Sequence, residues 1–147
     1  MDATLLLVED PDARPTTRLN KPSVAAWLPA LAWAGLIFAF SAQADLTLVP
    51  DQGLDFVVRK LGHMAIFGVL ALLFWRALAA TTTLRRPWAW ALAVTTVYAI
   101  TDELHQAFVA GRNASLRDVG IDAAGALIAV VIVGVLGARW PGRRARP

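Results

Sequence analysis

Apolar positions along the 147 residues gather into four long runs separated by short polar segments. The first run, Ser23 to Ser41, reads "SVAAWLPALAWAGLIFAFS". The second covers Asp55 to Ala79, the third Pro87 to Phe108 and the fourth Leu116 to Ala138. Continuous apolar stretches of this length predict helices rather than strands. About 20 mainly apolar residues suffice for a helix to cross a hydrocarbon core about 30 Å thick. Only the first run has an uninterrupted apolar centre; the others reach spanning length when polar residues at one end of each are included. The pattern predicts an all-α, polytopic membrane four-helix bundle over residues 23–138. A flexible cytoplasmic arm, residues 1–22, precedes it, and a basic cytoplasmic tail, residues 139–147, follows.

Composition sharpens the class. Hydrophobic residues make up 57% and charged residues 17% of the chain, against roughly 45–50% and about 25% in soluble domains. With no cysteine, disulfides, thiol catalysis and cysteine-ligated metals are excluded. The net charge of +3 is distributed in a way that speaks for membrane orientation and against a nucleic-acid partner. Arg14, Arg18 and Lys21 lie in the arm, Arg76, Arg85 and Arg86 around the second connection, and Arg139, Arg143, Arg144 and Arg146 in the tail. The first connection, Ala42 to Leu54, has no Lys or Arg but holds Asp45 and Asp51. By the positive-inside rule both termini are cytoplasmic. Trp27, Trp75, Trp88, Trp90 and Trp140 fall near the inner ends, as an interfacial belt requires. A rival reading, signal-peptide cleavage at Ala42-Gln43-Ala44, is disfavoured: the apolar run Val24 to Phe40 has 17 residues, longer than the roughly 7–15 of a secretory signal.

Four basic residues, Arg59, Lys60, Arg112 and Arg117, fall on the outer side against this bias, and they meet the acids there. Arg59, Lys60 and His63 lie in the outer part of the second helix, Asp102, Glu103, His105 and Gln106 in that of the third, and Asp118 and Asp122 in that of the fourth. At 1.5 Å per residue, Asp102 and Asp122 sit roughly 9 Å from their outer ends. Arg59 and His63, Asp102 and Gln106, and Asp118 and Asp122 are each four apart and share a helix face. Charged side chains at membrane depth face the bundle interior and pair, so the cations are expected to partner Asp102, Glu103, Asp118 and Asp122. Snorkelling of Arg59, Arg117 and Asp118 to headgroups is the plainer alternative, as is ion pairing that only fixes helix packing. Gly125 and Ala129 form a small-xxx-small pair suited to close packing.

At these residues the chain resembles the VanZ-like family of small bacterial membrane proteins. The matching pieces are Phe40-Ser41-Ala42-Gln43, then Lys60, His63 and Phe67, then Asp102-Glu103-x-x-Gln106-x-Phe108. Gly111-Arg112, Ser115, Asp118, Asp122 and Gly125 continue the series. Ala110 stands where the family pattern often has proline, and Asp122 where it can have asparagine. The family is named for an accessory protein giving low-level resistance to teicoplanin, so the resemblance implies a role in the bacterial cell envelope, in the cytoplasmic membrane. It adds Ser41, Gln43 and Ser115 to the candidate ligand-binding set of Arg59, Lys60, His105, Gln106, Arg112, Asp118 and Asp122.

Two functions compete. His63, Asp102 and Glu103 are candidate catalytic groups for acid–base work in a membrane-embedded hydrolase or transferase, although no nucleophile motif accompanies them. The same residues, with the cations holding phosphate or carboxylate, suit a binder of an envelope lipid or lipid-linked cell-wall precursor. Proton or ion transport is a third reading, weakened by an inner half without a polar path. No cofactor is expected, and no metal, since ligand spacing of the H-E-x-x-H kind is absent. Membrane lipids are the expected partners; ligand identity and oligomeric state are not encoded in any motif.

Overall fold

The computed structural model describes residues 24–43, 50–112 and 114–138. The N-terminal arm, the tail from Arg139 with Trp140, Asp45, and Ala44 of the Ala42-Gln43-Ala44 triplet lie outside them. The described residues form a short 3-10 turn, Val24–Ala26, and four α-helices without a strand: α1 (Leu28–Ser41), α2 (Gln52–Thr81), α3 (Pro87–Gln106) and α4 (Leu116–Ala138).

Local chemistry sets the boundaries. α1 has 14 residues, shorter than the run from Ser23 suggests. Pro29 lies in its first turn, where the missing N–H is harmless; further inside a helix it would break the ladder. α2 begins earlier than expected because Asp51 caps it, accepting from the Leu54 N–H at 2.8 Å, and it runs for 30 residues. α3 stops at Gln106, two residues short of Phe108, and the chain turns through Gly111 at φ +83°, a left-handed value that favours glycine. α4 keeps its expected bounds, with the Ser115 hydroxyl accepting from the Arg117 N–H at 3.2 Å.

α2 is the central helix: it packs on α1, α3 and, most extensively, α4. Successive helices run antiparallel. Trp27, before α1, donates to Thr81 at the end of α2 (3.2 Å), while Glu103, near the end of α3, meets Ser115 at the start of α4. Phe67, Leu70 and Phe74 of α2 form the core with Ala30, Ala34 and Ile37 of α1 and Ala91 and Ala99 of α3. Trp33 donates to the Ile66 carbonyl (3.0 Å) and Tyr98 to the Ala34 carbonyl (2.6 Å), so both polar aromatic groups are satisfied. α2 and α4 are long and apolar enough to cross a membrane; α1 is apolar but too short. Away from α2, α4 exposes Leu127, Ile128, Val131, Ile132, Val135 and Leu136.

The tightest approach is between α2 and α4. A Cβ on Gly125 would overlap the Met64 backbone, lying 2.7 Å from its carbonyl carbon, and one on Gly68 would lie 3.1 Å from the Ala129 Cβ. The Gly125–Ala129 pair thus sits in this interface. Backbone cannot swing aside as a side-chain tip can, so Gly125→Val is expected to destabilise by about 1–3 kcal/mol or more. Gly134→Val, with nothing within 4 Å, serves as the control. Melting of the two purified variants in detergent measures the difference; equal melting temperatures contradict the close packing.

Candidate functional site

The α2–α4 contact fixes which charges face one another. Asp122 and Asp118 lie one and two turns before Gly125 on one face of α4, while His63 and Lys60 flank Met64 on α2. The Lys60 Nζ is accordingly 2.6 Å from the Asp118 Oδ1, and the His63 Nδ1 is 3.4 Å from the Asp122 Oδ1. Asp122 is buried, 1% exposed, and neither of its carboxylate oxygens has a hydrogen-bond donor. The His63 ring thus approaches Asp122 outside hydrogen-bond geometry. His63 also stacks on Phe67, ring centroids 6.3 Å apart.

A second cluster joins the ends of α1 and α3. The Asp102 Oδ2 accepts from the Ser41 hydroxyl at 2.9 Å and from the Gln106 amide at 2.8 Å, while its Oδ1 is buried without a partner. Arg112 then donates to the Gln106 Oε1 at 3.2 Å and to the Gln43 carbonyl at 3.3 Å. Gln43 takes part through its backbone; its side chain is exposed. Among the described residues no carboxylate lies within ion-pair distance of Arg112.

The remaining expected pairings come out differently. Of the four outer cations, only Lys60 pairs with one of the four expected acids. Arg59 pairs instead with Asp55, one turn away on its own helix, at 2.7 Å. Arg117 lies over the Phe56 ring, 5.8 Å from its centroid. Among the described residues no cation pairs with Glu103; its Oε2 accepts from the Ser115 N–H at 2.8 Å, holding the start of α4, where a carboxylate is favoured by unsatisfied N–H groups and the helix dipole. His105 stacks on Phe38 of α1 at 4.1 Å, with its Nε2 buried and unpartnered. Asp55, Phe38 and Tyr98 escaped the sequence reading. The i,i+4 spacing of Asp55 and Arg59 was the available signal for the first; none marked the other two.

Two cavities meet at this end. One, about 360 Å³, opens between α1 and α2 against Ile37, Phe40, Val58 and Ile66. The other, about 190 Å³, is polar and bounded by Lys60, Gln106, Asp118 and Phe56. Arg59, His63 and Arg112 line both. Among the described residues no three histidine or acidic side chains converge as a metal site.

The VanZ/LLP1 family model matches residues 16–137. The chain belongs to the VanZ/LLP1 family. No curated protein and no solved structure matches it. In this VanZ/LLP1 chain the matched stretch holds every polar residue placed above, on the four helices and the connections between them. Among the described residues Arg112 and Arg117 have no carboxylate partner, Arg59 and Lys60 are paired, and a buried aspartate lies behind a half-buried histidine.

The Glu103 contact separates scaffold from chemistry. Glu103→Ala leaves the Ser115 N–H without its acceptor and is expected to lose about 1–2 kcal/mol. Glu103→Gln keeps an acceptor oxygen and should recover most of it. Thermal melting in detergent reads both, and a Gln variant as unstable as the Ala variant would refute the capping role.

Proposed function

We propose that this VanZ/LLP1 protein is a multi-pass protein of the bacterial cell envelope with both termini cytoplasmic. In this reading its outward-facing polar end binds an anionic amphiphile, an envelope lipid or a lipid-linked cell-wall precursor. The observation that carries the reading is the junction of the two cavities: an apolar groove and a polar chamber share Arg59, His63 and Arg112 as a common wall. An amphiphile has the same division, with a chain for the groove and a charged headgroup for the chamber. The groove's volume falls within the range of about 300–1,000 Å³ usual for small-molecule sites.

Charge supports the same ligand class. The Arg59 and Lys60 charges are offset by Asp55 and Asp118, whereas among the described residues the Arg112 guanidinium meets neutral acceptors, Gln106 and the Gln43 carbonyl. A phosphate or carboxylate supplies what it lacks, in the bidentate geometry arginine favours. The apolar outer face of α4 supports placement in lipid, since water-exposed surfaces rarely carry so large an apolar patch. At about 21 Å by its 14 residues, α1 ends below the start of α2. The groove beside it is then open sideways to lipid. A part in glycopeptide resistance fits only if the ligand is a cell-wall precursor.

Binding and orientation are tested separately. Purified protein is expected to gain thermal stability from phosphatidylglycerol but not from phosphatidylcholine. Arg112→Gln should weaken that affinity about tenfold or more, since a hydrogen bond to a charged group is worth roughly 1.5–3 kcal/mol. Equal stabilisation by both lipids, or an Arg112→Gln variant that binds as before, argues against the headgroup site. For orientation, cysteine at Pro50 should react with an impermeant thiol reagent in intact cells, and cysteine at Thr82 should not. The reverse pattern inverts the topology.

A further inference from the structure

His63 stands where the apolar groove meets the polar chamber, and that position specifies which bond of a bound lipid lies against its ring. With the headgroup among Lys60, Arg59 and Arg112 and an acyl chain along Ile37 and Ile66, the atoms at the polar–apolar boundary are those of the carboxylic ester. We propose that His63 and Asp122 form a general-base pair that hydrolyses this ester, making the protein a deacylase of anionic acyl lipids. The inference rests on the reading that the polar end binds an anionic amphiphile.

The orientation of the pair suits the chemistry. The Nδ1 of His63 faces Asp122 at 3.4 Å, which leaves Nε2, on the opposite edge of the imidazole, for water. Asp122 is enclosed, and neither of its oxygens has a hydrogen-bond donor. A carboxylate in that position gains most at the moment its histidine neighbour becomes positively charged, and so stabilises the imidazolium formed in general-base catalysis. The 3.4 Å separation is of the loose kind that tightens when substrate and charge arrive. The nucleophile in this scheme is not Ser41, because its hydroxyl donates to Asp102 rather than to the His63 base. Water takes that part.

The step balances with water as the sole co-reactant. The His63 Nε2 accepts a proton from water as the water oxygen bonds to the ester carbonyl carbon, and the carbonyl electron pair moves onto its oxygen. Arg112, which lines both cavities with His63 and has no carboxylate partner among the described residues, supplies positive charge to that oxygen. Collapse re-forms the carbonyl and breaks the bond to the alcohol oxygen, which leaves with the electron pair and takes the proton from the imidazolium. A fatty acid and a lysolipid are the products. Asp122 touches neither of them and is a positioning residue.

The full-length protein reconstituted in phosphatidylcholine vesicles containing dioleoyl phosphatidylglycerol should release oleate and lysophosphatidylglycerol, read by mass spectrometry. In H₂¹⁸O the label should enter the oleate carboxylate. The ether-linked analogue of the same lipid should bind and remain intact. His63→Gln should lower kcat for oleate release about 100-fold or more and still be stabilised by the ether analogue. Asp122→Asn should lower kcat at least tenfold with KM within twofold, a split that a packing defect does not produce; if it unfolds, His63→Gln decides alone. Binding of the ether analogue without oleate release overturns the deacylase and leaves the headgroup site standing, whereas failure of both lipids to bind overturns both. Release of phosphate or headgroup in place of oleate, or release undiminished in His63→Gln, overturns the assignment of the bond or of the base.

Discussion

The contact of Gly125 with the backbone of Met64 sets the register of the whole polar end. Because no Cβ intervenes, α4 lies directly on α2, and the two helices, which run parallel, bring matching turns side by side. Gly125 lies against Met64, Asp122 against His63 and Asp118 against Lys60, successively nearer the starts of both helices. Rotating α4 by one residue, about 100°, would turn both aspartates away from α2. A single missing methyl group thus determines which acids meet which bases, at a distance of several residues from any of them.

From that register the other helices fall into place by satisfying what it leaves open. Glu103 reaches from α3 to the first turn of α4 and ties its start to α3. Asp102, one residue earlier and facing another way, collects Ser41 and Gln106, which links α1 to α3. Gln106 passes the chain of hydrogen bonds on to Arg112 and so to the Gln43 carbonyl. The polar residues form two linked layers, one of charge pairs between α2 and α4 and one of hydrogen bonds between α1 and α3. Both border the cavities, and Arg112 and His63 are where the layers reach the wall the two cavities share.

The sequence makes the helices and their polar ends legible for one reason and hides the pairings for another. Apolar runs and the i,i+4 recurrence of Asp118 with Asp122, or Asp102 with Gln106, fix faces and approximate depth, because helix geometry is regular. They do not choose among partners within a turn of one another. Arg59 had Asp102, Glu103, Asp118 and Asp122 in view, yet its nearest acid is Asp55, whose i,i+4 position requires no tertiary contact. Glu103 looked like half of an ion pair, but the unsatisfied N–H at the start of α4 lies closer than any cation. Pro29 was legible as a helix start and would have shortened α1 correctly. Residues 1–22 and 139–147 lie outside the described part, and the domain limits drawn there stay expectations.

Asp122 is the residue whose presence the fold explains least. A carboxylate 1% exposed, with a histidine 3.4 Å away and no hydrogen-bond donor on either oxygen, is held at the expense of stability. Burying a charge without full hydrogen bonding costs several kcal/mol, and replacing such a pair by apolar side chains of like size is often neutral or stabilising. Glu103 and Asp102, by contrast, each secure a helix junction through hydrogen bonds. Places where a sequence departs from its own structural logic tend to be functional. That criterion supports the proposal that the His63–Asp122 pair is the centre of the site, with Asp102 and Glu103 as its frame, which reverses the emphasis that the adjacent acids Asp102-Glu103 invite when the chain is read as letters.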